Sequence, residues 1–380
     1  MKVALVSRGY SLSHGGAEAV TVNLSRALSR AGHDVTVYAE RIEENTEGID
    51  TVKVDIKRGL TFFRGTAFHK KVSAMLKGND FDVVFGFCPF YPVDVYRASG
   101  GVHAHWMNLR YPNKIARAVK YLLSPGNIAI DKLERDMFKG DRCRYVITNS
   151  LLAKEHFVKY FGLADDRVTV VYNGVDGKKY NSDLKKHRAE VRKELGIGEE
   201  ESVVLYVSNN WKRKGLVTAV KAMQGLDGLT MIVAGRGKES EFDSIVGSTG
   251  VDRDKVKLVG QRKDIERFYG ASDFFVLPTQ YDPCANVCME AMASGLPVIT
   301  TMENGASEFI TNDYNGFIIE SWRDVMLLQQ YYYTLMDSRV SENMGQNAEL
   351  TMKRYTWEKT MEETLKVCED AVSHKKAVGK

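Results

Sequence analysis

"KVALVSRGYSLSHGGAEAVTVNLSRALSRAGHDVTVYAE", residues 2–40, holds two short β-branched runs with an amphipathic stretch between them. "KVALVS" (2–7) has the composition of a buried strand. A glycine-containing loop follows, "RGYSLSHGGAEA". "VTVNLSRALSRAGHDV" then places apolar residues at helical spacing and stops at a glycine, Gly32. "DVTVYAE" resumes as a strand. Strand, loop, helix and strand in that order open a doubly wound parallel sheet.

The pattern extends along the chain. "FDVVFGF" (81–87) and "CRYVITNS" (143–150) read as further buried strands, and "VTVVYNGVD" (168–176) ends the first half in turn residues. A charged helical stretch follows, "KKHRAEVRKELGI" (185–197). After it the alternation restarts with the strand "SVVLYVSN" and the helix "GLVTAVKAMQGL". "LTMIVAGRG", "KVKLVGQ", "DFFVLPT" and "LPVITT" are its later strands. The expected organisation is an N-terminal αβ domain over 1–175, a linker with a charged helix over 176–197, and a second αβ domain over 198–355. The final stretch, 356–380, reads as an amphipathic helix packing back toward the first domain.

At 380 residues the chain suits two domains of comparable size. Its 44% hydrophobic and 27% charged content is that of a soluble globular protein. A net charge of +4 favours anionic partners without being a nucleic-acid signature. No apolar run approaches the roughly 18–20 residues that span a bilayer. "MKVALVSRGY" turns polar too early for a signal peptide, and five cysteines without framework spacing fit a reducing cytoplasm.

Three constellations carry chemistry. "HGGAE" (14–18) puts Gly15 and Gly16 at a helix start, where backbone can approach a ligand and free N–H groups face an anion. It is not a dinucleotide fingerprint, and a plain turn explains it as well. "SNNWKRKGL" (208–216) sets Arg213 and Lys214 at the C-terminal end of a strand, where two cations suit a diphosphate leaving group or simply form a solvated turn. "YDPCANVCMEAMASGLPVIT" (281–300) has Asp282 before a helix and Glu290 eight residues on. Glu290 lies among small apolar residues that would bury its charge, so partners are expected; a ribose diol is one. Backbone N–H groups around Asn286 and Val287 would face a phosphate or sugar. Asp282 suits hexose hydroxyls or a helix cap. Cys284 and Cys288 lack a completing pair and read as packing residues. The acid pair of "DRD" (252–254) follows no strand end and reads as solvated.

"GGAE", "NGVD" (173–176), "RKG" (213–215) and "LVGQRKDIERFYGASDFFVLPTQYDPCANVCMEAMASGLPVITT" (258–301) together resemble the family-four retaining glycosyltransferases of the GT-B fold, above all their lipopolysaccharide-core glucosyltransferases acting on heptose. The resemblance implies two Rossmann-like doubly wound domains facing a cleft, a nucleotide-sugar donor held mainly by the second, and no metal or other cofactor. The family's Glu-x7-Glu motif falls on Asp282 and Glu290, the first one methylene short, and implies ribose binding by Glu290 and hexose binding by Asp282. Its glycine-aromatic-glycine is "CAN" here, so only backbone contacts at Asn286 and Val287 carry over. Its Arg/Lys pair maps onto Arg213 and Lys214. Loop 260–265, with Arg262, stands where the family holds the nucleotide base. "ASGGVHAHWMN" (98–108) falls on the acceptor side, with His103 placed to bind a donor hydroxyl or help the acceptor proton. His105, two residues on, would share its face in an extended stretch.

The implied reaction moves a hexose, UDP-glucose being the favoured donor, to a hydroxyl of a glycan or glycolipid. Rival readings are a GDP-mannose-type mannosyltransferase, a nucleotide-sugar epimerase of the same fold, and a sugar-nucleotide-binding protein without turnover. From Val95 to Ile130 there is no Asp or Glu, while Arg97, Arg110, Lys114, Arg117 and Lys120 fall inside with interleaved aromatic and aliphatic residues. A basic amphipathic helix over 110–123 fits an anionic membrane surface. That would make the protein peripheral on the inner face of the cytoplasmic membrane.

Overall fold

The computed structural model describes residues 1–11, 16–56 and 63–377, which fold as two units, Met1–Tyr172 with Trp357–Lys380, and Asn173–Thr356. The first unit is built on strands β1 (Lys2–Tyr10), β2 (Asp34–Ile42), β3 (Asp50–Lys53), β4 (Val83–Gly86), β5 (Val93–Arg97), β6 (Cys143–Thr148) and β7 (Val168–Val170). They form one parallel sheet in the order β3-β2-β1-β4-β5-β6-β7.

Alternation along β1 assigns the two faces of this sheet. Val3 and Leu5 pack with Val20, Leu24 and Leu28 of the helix Gly16–Arg30, and with Met361, Cys368 and Val372 of the C-terminal helix Trp357–Ala377. Ala4 and Val6 face the other way, into a core with Phe68, Met137, Phe138 and Phe157. Helices therefore cover both faces, which is why β1 reads as continuously apolar. Lys375 of the C-terminal helix also donates to the Phe81 carbonyl oxygen at 3.1 Å.

The second unit repeats the plan with β8 (Ser202–Val207), β9 (Leu229–Ala234), β10 (Val256–Gly260), β11 (Phe274–Leu277), β12 (Val298–Thr301) and β13 (Gly316–Ile319). The order is β10-β9-β8-β11-β12-β13, again all parallel. The charged stretch after residue 181 is part of this unit. Arg192 of the helix Arg188–Leu195 is 2% exposed and donates to the carbonyl oxygens of Ala271 (3.1 Å) and Glu201 (2.7 Å) and to Asp273 (2.8 Å).

Strands β3, β5 and β13 carry no strong pattern of their own. β5, "VDVYR", is broken by Asp94, which accepts from the Val84 N–H at 2.8 Å and so serves the sheet rather than solvent. No helix among the described residues is long and apolar enough to cross a membrane.

Candidate active site

In the second sheet the chain leaves β8 toward β9 on one side, while β11 and β12 lie on the other. The loops after β8 and β11 therefore part at a topological switch point, the place where open αβ sheets bind ligands. The loop after β8 is locked. Asn210 Oδ1 accepts from the Arg213 N–H at 3.1 Å, and the Lys214 N–H donates to the Asn210 carbonyl at 3.0 Å. Gly215 ends the loop at φ 76°, and a side chain there would strike the Pro278 carbonyl oxygen. That close approach lays the loop on the segment after β11. The Gln280 N–H donates to the Arg213 carbonyl oxygen at 2.9 Å, and Gln280 Nε2 to that of Lys212 at 2.9 Å.

This docking brings Arg213, Lys214 and Asp282 together. Lys214 Nζ is ion-paired with Asp282 Oδ2, and Arg213 Nη2 lies 3.9 Å from the same oxygen. The side chains of Lys214 and Asp282 are only 10% and 13% exposed. Asp282 Oδ1 also accepts from the Cys284 N–H at 3.1 Å, so the residue is both a turn cap and the counter-ion of the basic pair.

Behind it, Asn304 is fully buried and organises the start of the helix Asn286–Ala293. Its Oδ1 accepts from the N–H groups of Ala285 and Ala306, each at 3.1 Å, and its Nδ2 donates to Thr300 Oγ1 at 2.9 Å. The helix itself has Ala285 at its N-cap and no side-chain cap, so its first N–H groups, at Asn286 and Val287, are left for another acceptor. Asn286 Oδ1 accepts from Asn173 Nδ2 at 2.7 Å, which ties "NGVD" to this helix. Glu290, one turn in, accepts from the Tyr269 hydroxyl at 3.0 Å. Burial raises its pKa, against the pull of Tyr269 and Lys179.

Arg262 is placed differently. Its guanidinium makes two bonds to Asp264, at 2.9 and 2.8 Å, and holds that carboxyl down at about 2. The Arg262 guanidinium is thus engaged within its own loop. Cys284 and Cys288 are buried, and burial pushes the Cys288 thiol up to about 12.

Gly15 lies outside the described residues, and Gly16 begins the helix Gly16–Arg30. His103 opens the helix His103–Arg110, so the expected extended stretch is corrected to a helical one. Two residues apart on a helix means different sides. His105 stacks on His156 with ring centroids 3.6 Å apart, whereas His103 Nδ1 donates to Asp131 Oδ1 at 2.6 Å. The His103 backbone N–H donates to Glu134 Oε2 at 3.2 Å, and the Tyr121 hydroxyl donates to the other oxygen of Asp131. Burial works against a charged His103, yet Asp131 and Glu134 outweigh it and raise its pKa. Burial pushes the Glu134 carboxyl up to about 7.

Residues 187–370 match the model of the glycosyl transferases group 1, and residues 14–179 that of glycosyltransferase family 4. The chain belongs to the group 1 glycosyltransferases of the GT-B fold. This glycosyltransferase is 24% identical to the lipopolysaccharide glucosyltransferase WaaG of Escherichia coli, over 80% of this chain and 82% of that one. It is 25% identical to an uncharacterised glycosyltransferase of Methanocaldococcus jannaschii, over 97% of each chain. Its fold superposes on a crystal structure of WaaG with a TM-score of 0.84, covering 96% of this chain and 99% of that chain at 21% identity. Anabaena HepE, solved in complex with UDP-glucose, superposes with a TM-score of 0.71 at 19% identity, over 96% of this chain and 99% of that chain.

Asn304, Tyr269, Asp131 and Glu134 escaped the sequence reading. "NG" at 304–305 is a turn signal that marks a cap without naming its target. Asp131 and Glu134 sit in "DKLERD", which reads as a solvated helix face.

Proposed function

We propose that this glycosyltransferase moves a hexose from a UDP-sugar to a hydroxyl of a glycolipid acceptor, with retention at the anomeric carbon and without a metal. The observation that carries the reading is the Arg213–Lys214–Asp282 cluster at the switch point, beside an uncapped helix start and Glu290. As the bond from the anomeric carbon to the UDP phosphate breaks, negative charge grows on the leaving oxygen. Arg213, Lys214 and the N–H groups of Asn286 and Val287 are the donors fit to meet it. The acceptor oxygen bonds the same face, and its proton passes to the departing phosphate. Glu290 receives the ribose hydroxyls and Asp282 a hexose hydroxyl; within the first unit His103 is set for a sugar hydroxyl. The UDP-glucose preference follows HepE, which was solved with UDP-glucose, and the lipopolysaccharide-type acceptor follows the lipopolysaccharide glucosyltransferase WaaG. Incubation with labelled UDP-glucose tests the reaction. Transfer or slow hydrolysis supports it, a changed sugar means an epimerase, and binding alone means a non-catalytic protein.

The same reading places the enzyme on a membrane. The helix Lys114–Leu122 has no buried residue, and Ile115, Leu122 and Leu123 are 76%, 78% and 76% exposed. Lys114, Arg117 and Lys120 flank that apolar stripe, each adding about 1 kcal/mol at an anionic surface. Arg97 leaves the group: it is fully buried and donates to the Val171 carbonyl oxygen at 3.2 Å. Co-sedimentation with vesicles should rise with anionic lipid and fall with salt. Unaltered vesicle binding after changing all three cations to Gln removes this part.

A further inference from the structure

We infer that a cavity in the first unit binds a phosphorylated sugar as the anionic part of the acceptor, an assignment that rests on the transferase reading above. The cavity, about 590 Å³, is lined from the helices His103–Arg110, Lys114–Leu122, Pro125–Met137 and Leu151–Phe161. Pockets of roughly 300–1,000 Å³ suit small ligands, and a sugar phosphate fits within this one.

Its charges are unevenly matched. Four cations line it, Arg117, Lys132, Arg135 and Lys139, against two carboxylates, Asp131 and Asp136. Asp131 is taken by His103 and Tyr121. Asp136 is taken by Lys132 at 3.2 Å and Lys139 at 2.6 Å. Among the described residues Arg117 donates to the Tyr111 carbonyl oxygen, at 3.1 Å. Among the described residues, neither Arg117 nor Arg135 has a carboxylate within ion-pair distance. Two guanidinium forks without an acid partner, both lining the cavity, suit a phosphate, which accepts two parallel bonds from a guanidinium.

The remaining lining suits the sugar. Asn108 and Tyr160, bonded to each other at 2.8 Å, offer an amide and a phenol to hydroxyls, and half-exposed Ile128 offers an apolar face. The position suits an acceptor, because Asp131 lines the cavity and also holds His103. Of the three cations on the helix Lys114–Leu122, exposed Lys114 and half-buried Lys120 stand outside the cavity, and Arg117 alone lines it.

The test is calorimetric titration of the whole protein with glucose 6-phosphate and with glucose. Arg117→Gln/Arg135→Gln is compared with a charge-matched control, Lys114→Gln/Lys120→Gln. Both pairs lie on exposed or half-exposed positions, and melting curves verify the fold. The wild type should bind the phosphorylated sugar in clear preference to glucose. The arginine pair should lose at least tenfold in affinity, and the lysine pair should lose none. Equal loss in both variants, or no preference for the phosphate, overturns the assignment. So does an arginine pair that loses anionic-vesicle binding while its glucose 6-phosphate affinity stays unchanged, since a lipid headgroup is then the occupant. UDP titration of the same samples separates the two readings. Retained UDP binding with no sugar-phosphate binding sinks the cavity assignment alone, whereas absent UDP binding sinks the transferase reading.

Discussion

The two sheets share one strand order over their first six strands, yet their charged loop and helix regions handle charge in opposite ways. In the second unit short loops clamp opposite charges together, with Lys214 and Arg213 on Asp282. In the first unit, helices inserted after β5 bury two carboxylates, Asp131 and Glu134, around one histidine. The first arrangement holds two cations on one shared carboxylate. The second favours the protonated forms of Glu134 and His103. Strand order sets where each cluster sits; the loops and helices between strands set what it does.

The largest effect should come from the clamp. Lys214→Ala removes a cation proposed to meet the leaving group, and loss of one such donor costs about 10²–10³ in turnover. Melting temperature and kcat with UDP-glucose should be measured together, because the change also strips Asp282 of its partner. A variant that turns over normally would show the clamp to be structural and erase the contrast between the units.

Next is the protonic character of the first unit. The Glu134 carboxyl stands at about 7 against an ordinary 4.5, with burial as the leading cause. Folding thus favours its protonated form. The stability this contributes is full below pH 4.5 and is lost as pH rises through about 7, a swing of about 3 kcal/mol. His103, also raised, acts with the same sign: its contribution is present below 6.5 and lost as pH climbs. Thermal melts of wild type between pH 5 and 8.5 should fall more steeply than those of Glu134→Gln, which keeps an acceptor for the His103 N–H but cannot ionise. Parallel curves would mean that the acid does not titrate with folding.

A smaller effect distinguishes the two acids of the second unit. Glu290→Ala should weaken UDP itself by about 1.5–3 kcal/mol, the worth of hydrogen bonds to a charged group. Asp282→Ala should leave UDP affinity nearly intact and lower turnover with the UDP-sugar. Equal losses of UDP affinity would merge the two roles. Asp282→Glu tests whether the shorter side chain is matched to Lys214 or only tolerated.

How much of this was legible in the sequence follows from range. β1, the helix after it and β2 are local, and their alternation and spacing give them away. So does the position of Arg213 and Lys214 after a strand. The contact of Lys214 with Asp282 spans 68 residues and depends on Gly215 lying against Pro278. Neither residue's own neighbourhood encodes that. His103 was visible as a candidate, but its helix was not, because "GGVHAH" has no apolar period. The partners Asp131 and Glu134 take their meaning only from burial, which a charged helical pattern conceals.

The smallest expected effect is that of a chelator, and it sharpens the same contrast. Acid pairs that hold a divalent ion for a diphosphate must stand where the diphosphate binds. Asp252 and Asp254 lie just before β10, at the N-terminal end of a parallel strand. The loops of Lys214 and Asp282 follow the C-terminal ends of β8 and β11, so the sheet separates the two places. Asp252 is moreover occupied in capping the Asp254 N–H at 3.0 Å, and Arg253 in pairing with Asp243 at 2.8 Å. In the proposed reaction the leaving-group charge is instead met by Arg213, Lys214 and the helix start at Asn286. Enzyme treated with EDTA should therefore keep most of its turnover with UDP-glucose, and added magnesium or manganese should change it little. A loss restored by either ion would mean that the basic pair serves only to hold Asp282, and that this carboxylate is released to bind a metal.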